Sequence, residues 1–169
     1  MVVLGAVAPP VMAQPSAGSR PAACLTPPVE GPIVVPYRQP ACPYCSGHRG
    51  VEYHPAPGTA VRAAAGGVVT FAGVVVGTRY VVIAHADGVL ATYGMLAASP
   101  VLRGQSVTVG AVVGTSTARL YFGLRRDGAP VDPTPLLSGG LPRARLVPTD
   151  GAAPLRRPTR TCAAAAASR

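Results

Sequence analysis

The chain has no lysine and no tryptophan, only two phenylalanines, and just 5% aromatic and 12% charged residues across its 169 positions. Scarce aromatics exclude a core of large rings, so the abundant Val, Ala and Gly must fill the interior, which suits short strands and tight turns. No segment keeps a sustained helical period, which excludes a helical bundle. No apolar run is long enough to cross a membrane, and the apolar start is broken by Pro9 and Pro10. The basic residues never form a basic helix, and no spaced aromatics accompany them, so nucleic-acid binding is excluded despite the net charge of +9.

What is present is arginine: all fifteen cations are of this type, a composition that reads as the codon bias of a GC-rich genome. Six of them (Arg143, Arg145, Arg156, Arg157, Arg160 and Arg169) fall in the trailing segment. Residues 1–13 are apolar and end in small residues before Gln14, like the apolar region and cleavage site of a secretory signal without its basic start. They read as a signal remnant or an apolar tail. Residues 14–32 are rich in Pro, Ala, Gly and Ser and read as a linker, 33–137 as the compact domain, and 138–169 as an Arg, Pro and Ala tail without a packed core. Lipidation at Cys24 has little support, since the preceding residues lack the branched side chain of a lipobox.

Four cysteines, Cys24, Cys42, Cys45 and Cys162, fit disulfides in an oxidising compartment, with three pairings open. Cys42-Pro43-Tyr44-Cys45 also has the form of a redox motif, but Ser46-Gly47-His48 after it is a poor helix start, and that chemistry needs a helix N-terminus to lower a thiol pKa. A structural disulfide is the favoured reading. Zinc binding by Cys42, Cys45 and His48 is a third option whose spacing fits no established module.

Within the domain, Val61–Ala65, Gly67–Val76, Arg79–His85, Val89–Leu96, Ser106–Val109 and Arg119–Arg125 have strand length and branched or aromatic content. Gly66-Gly67, Gly73, Gly77-Thr78 and Ala86-Asp87-Gly88 supply turns. The expected fold is all-β, a mostly antiparallel small sheet or half-barrel.

His48-Arg49-Gly50-Val51-Glu52, the stretch from Ala56 to Ala63, and Gly67-Val68-Val69 resemble the opening of the LytM or lysostaphin-type zinc endopeptidase domain. His85-Ala86-Asp87-Gly88, Ala91-Thr92-Tyr93, Gly104-Gln105-Ser106-Val107, Gly110, Val113-Gly114, Phe122-Gly123-Leu124-Arg125 and Asp127 to Pro133 follow in the same order. The resemblance implies a fold of that type and a zinc held by the His and Asp of an H-x-x-x-D segment and the second His of an H-x-H strand. Those positions fall here on His48, Glu52 and Tyr121. The two catalytic histidines fall on Met95 and Arg119, neither able to act as a base near neutral pH.

The resemblance therefore implies an exported, cell-envelope protein acting on peptidoglycan or on a cell-wall hydrolase, with its reaction weakened or lost. No catalytic residue and no cofactor are expected, zinc being bound only if the chain is active. His48 and Glu52 remain as residual metal candidates. His54, His85, Arg119 and Tyr121 are candidates for a binding cleft. A Glu52–Arg119 ion pair is expected to replace the metal as the link between the two halves of the site. The alternative is an active zinc endopeptidase in which His54 or His85 substitutes for the missing ligand.

Overall fold

The computed structural model describes residues 24–42 and 44–137. The signal-like segment 1–13, the tail 138–169 and Cys162 lie outside the described residues. The strands are β1 (Val51–Tyr53), β2 (Ala60–Arg62), β3 (Gly67–Val75), β4 (Thr78–His85), β5 (Val89–Ala98), β6 (Ser106–Val107), β7 (Val112–Arg126) and β8 (Ala129–Val131), followed by a 3-10 turn at Thr134–Leu136. They form one eight-stranded sheet in the order β1-β7-β5-β4-β3-β6, with β2 and β8 also paired to β7, and every pairing is antiparallel. The sheet is all-β in character as expected, and it does not close into a barrel.

Alternation along the strands sends one set of side chains to the core and the other to an open face. On the core side, Leu120, Phe122 and Leu124 of β7 stand opposite Tyr53, Val51 and Tyr93, and Ala91, with Val81, Ile83 and Val69 continuing across β4 and β3. Tyr93 and Phe122 pack ring to ring within this cluster, 5.3 Å apart between centroids and tilted by 54°. Small branched residues fill the rest, as the composition requires.

The sequence signal shortened β7, which extends from Val112 rather than Arg119. Its first half is rich in Gly, Ser and Thr, yet it pairs with β2 and β5, and a Cβ on Gly114 would lie 2.7 Å from the Ala98 carbonyl oxygen. Close backbone approach, rather than side-chain pattern, fixes this stretch as strand. At the other end of the domain, Leu25 and Val29 are buried in the core, and Leu25 bridges to Leu137. The packed unit thus includes residues from the stretch that reads as a linker.

Tyr93 also satisfies the Ala64 backbone: its hydroxyl accepts a 2.8 Å hydrogen bond from the Ala64 N–H in a fully buried setting. Tyr93→Phe keeps the ring and orphans that donor, so it should lower stability by about 1–3 kcal/mol, read as a shift of the urea midpoint without a change of slope.

Candidate functional site

The open face is assembled from β7 outward. Arg119, Tyr121, Gly123 and Arg125 alternate with the buried Leu120, Phe122 and Leu124 and so share that face. Glu52 of β1 is directly opposite Tyr121, and Gly94 of β5 is opposite it on the other side. His48 precedes β1. The backbones of His48 and Glu52 are both pinned by the segment before them. Arg38 and His48 exchange two hydrogen bonds of 2.9 Å, and Glu52 donates to the Val35 carbonyl while accepting from the Val34 N–H.

Glu52 is 5% exposed, so its carboxylate needs partners. Both oxygens have them. Arg119 Nη2 and Nε donate to Oε2 at 2.6 and 3.0 Å, and His48 Nε2 lies 3.1 Å from Oε1. The Glu52–Arg119 pair expected from sequence is therefore formed, with both guanidinium donors on one oxygen and the second oxygen turned to the histidine. His48 Nδ1 is 3.1 Å from the Pro36 carbonyl, which can only accept. The ring is thereby held between the Pro36 carbonyl and the Glu52 carboxylate. Burial raises the Glu52 carboxyl, but hydrogen bonds from Arg119 and His48, aided by their charges, outweigh it and hold the pKa below its ordinary value.

Tyr121 lies flat along the sheet. A Cβ at Gly123 would fall 2.5 Å from its hydroxyl oxygen, and one at Gly50 would fall 2.7 Å from its ring, so each glycine vacates space the ring uses. The His48 ring meets it edge-on, with centroids 5.8 Å apart. Burial pushes the Tyr121 phenol upward, against the opposing charge of Arg125, so the group is a neutral hydroxyl near pH 7.

Met95 occupies a bulge of β5, between irregular pairings at Gly94 and Leu96, with φ of 63°. Left-handed backbone at a residue with a side chain costs energy and is concentrated at functional positions. The other candidates do not join the group. His85 falls on the core side, opposite Gly67, with Nδ1 donating to the Gly66 carbonyl at 2.9 Å. His54 is exposed just past β1 and makes no hydrogen bond or ion pair with another described residue. Cys42 and Cys45 are joined in a disulfide, and no described cysteine is a free thiol.

A zinc site does not fit these residues. Among the described residues no group of three or more His, Cys, Asp or Glu side chains is placed to share a metal. The carboxylate that would serve is already engaged on both oxygens, and the third position is a protonated phenol. Sequence reading missed Gly50, Gly94 and Gly123, which make the face flat enough for tyrosine rings. For Gly94 and Gly123 the only signal was glycine inside runs of strand character, and Gly50 lies outside every such run.

Comparison with known proteins places this geometry. Residues 46–133 match the sequence profile described as Peptidase family M23. The chain is 40% identical over 114 residues to the DD-carboxypeptidase/endopeptidase Mpg of Neisseria meningitidis serogroup B, the match covering 63% of this chain and 26% of that protein. It is 34% identical over 131 residues to the lipoprotein NlpD/LppB homolog of Pseudomonas aeruginosa, covering 67% of this chain and 43% of that one. The chain thus spans less than half the length of either relative. Among solved structures, Helicobacter pylori Csd3 superposes with a TM-score of 0.61 at 24% identity, over 75% of this chain and 38% of Csd3, a likeness of fold.

Because the folded Glu52 pKa is lowered, the unfolded chain binds more protons in the acid range, so this group's stabilisation is full above its ordinary value of 4.5 and is lost as pH falls through the folded value. Glu52→Gln should flatten the fall of thermal midpoint with acidification between about pH 5 and pH 2, while leaving the slope near neutrality unchanged.

Proposed function

The chain belongs to peptidase family M23, and from that premise we propose that it is a non-catalytic member that works by binding the peptide part of the bacterial cell wall. The observation that carries this reading is the occupied Glu52 carboxylate, with Arg119 on one oxygen and His48 on the other. A metal-activated water needs an open coordination position and ligands free to hold the ion. Here the guanidinium supplies a positive charge to the same carboxylate, links β1 to β7 and repels a second cation. Neither Arg119 nor Met95 can take a proton from water near neutral pH.

The chemistry that remains suits recognition. Glycine-paved strands present tyrosine rings and unpaired guanidinium donors on one open face, a surface matched to extended peptides bearing carboxylates. The relatives bear names of a cell-wall carboxypeptidase/endopeptidase and of an envelope lipoprotein homolog, which supports a wall peptide over other extended ligands. Export to the cell envelope is part of the proposal. The Cys42–Cys45 disulfide supports it, and among the described residues no helix is long and apolar enough to cross a membrane. Action through a wall hydrolase is the competing partner class, and a metal-dependent endopeptidase with relocated ligands is the competing activity.

Dialysed against trace zinc, the 169-residue chain should retain well under one equivalent by elemental analysis, and it should co-sediment with purified peptidoglycan without releasing soluble fragments. The double variant Arg119→His with Tyr121→His should gain zinc affinity by at least about tenfold, since it removes the competing cation and adds imidazole ligands. Stoichiometric zinc in the unaltered chain, with wall release abolished by a chelator, would establish the endopeptidase instead.

A further inference from the structure

The row of side chains on β7 contains one cation with no assigned work. Arg119 is committed to Glu52, and Arg126, on the other face, has Asp87 at 3.9 Å. Arg125 is exposed on the open face and makes no hydrogen bond or ion pair with another described residue. Its cross-strand neighbours are Leu90 on β5 and Pro130 on β8, neither of which can accept from a guanidinium through its side chain.

Two positions along the same face is Tyr121, with Gly123 between them. The Tyr121 ring is laid toward Arg125, because its hydroxyl oxygen comes within 2.5 Å of where a Cβ on Gly123 would be. Two residues of strand advance about 6.6 Å, so the hydroxyl lies over Gly123, two residues short of the Arg125 position. That hydroxyl also makes no hydrogen bond with a described residue. Arg125 exerts the largest charge effect on the phenol, which agrees with their closeness. A neutral O–H donor over Gly123 and an exposed guanidinium two residues on thus share one face, with no acceptor supplied to either by another described residue.

Beside them the face is flat and aromatic. A Cβ at Gly94 would lie 2.6 Å from the Tyr80 ring and 3.4 Å from Tyr121 Cβ, so the two tyrosines are neighbours across one glycine. Planar amide groups stack on such rings, and the Glu52 charge at the far end is already neutralised.

We propose that Arg125 and the Tyr121 hydroxyl form a receptor for the free carboxylate of a peptide, whose adjoining peptide planes lie across Tyr121 and Tyr80. The guanidinium supplies the bidentate, charge-assisted contact and the phenol a third hydrogen bond. Glycine at position 123 is part of the receptor, since any side chain there displaces the ring that carries the hydroxyl. The inference deepens the wall-binding reading and rests on it: a wall peptide bears carboxylates, and the receptor says which protein atoms read one of them.

The test is a titration of the full chain, followed by NMR, with acetyl-Ala-Ala carrying either a free C-terminal carboxylate or a carboxamide, and with inorganic phosphate as a third ligand. The free acid should bind at least about tenfold tighter than the amide, as expected for loss of a charged hydrogen bond. Arg125→Gln and Tyr121→Phe should each erase most of that preference while leaving the thermal midpoint nearly unchanged, because both changes are made at the accessible face. Equal binding of acid and amide, or an Arg125→Gln variant that keeps the preference, overturns the receptor. Phosphate binding as tightly as the free acid overturns the assignment to peptide and leaves a simple anion site. Peptidoglycan sedimentation separates the two readings: wall binding retained in Arg125→Gln sinks the receptor alone, whereas an unaltered chain that binds neither wall nor peptide sinks both.

Discussion

A carboxylate buried on one face of an open sheet must be neutralised, and the way Glu52 is neutralised governs the rest of this molecule. Isolated, the ionised group would be costly at 5% exposure. Arg119 reaches it from the partner strand and His48 from four residues earlier, so three segments converge on one side chain. Arg119 is 54% exposed at its side chain, which leaves it screened and limits what the pair adds to stability. Its greater consequence is chemical. Both carboxylate oxygens already face side-chain nitrogens, so a metal ion would have to compete with them.

Glycine is the second constraint. Gly50 just before β1, Gly94 on β5 and Gly123 on β7 surround Tyr121, and each stands where a Cβ would collide with a ring or a carbonyl. They let Tyr121 and Tyr80 lie down against the sheet as a flat aromatic floor. Met95 holds a left-handed backbone, with φ of 63°, at the bulge of β5 beside this floor.

Much of the fold was legible because branched runs punctuated by glycine are a strong antiparallel signal. The hairpin of β3 and β4 and the strand β5 appear almost where the sequence places them. The missed elements share a cause: β1 and β8 are three residues each, too short for a period, and the first half of β7 is held by backbone proximity at Gly114. In the site, opposite charges at Glu52 and Arg119 announced their pairing. The second job of His48 did not show, because the Pro36 carbonyl that orients its ring comes from a segment with no motif. His85 illustrates the limit of proximity in sequence: strand parity, one residue either way, decides which face it meets.

The central claim is that Glu52 and Arg119 are energetically coupled across β1 and β7. A double-mutant cycle on urea unfolding, with Glu52→Gln, Arg119→Gln and the pair, measures that coupling directly. The account predicts a coupling of about 1–2 kcal/mol at neutral pH that shrinks in acid, as for a charged hydrogen bond with one partly exposed partner. Additive single-site effects, with a coupling within about 0.3 kcal/mol of zero, would contradict it.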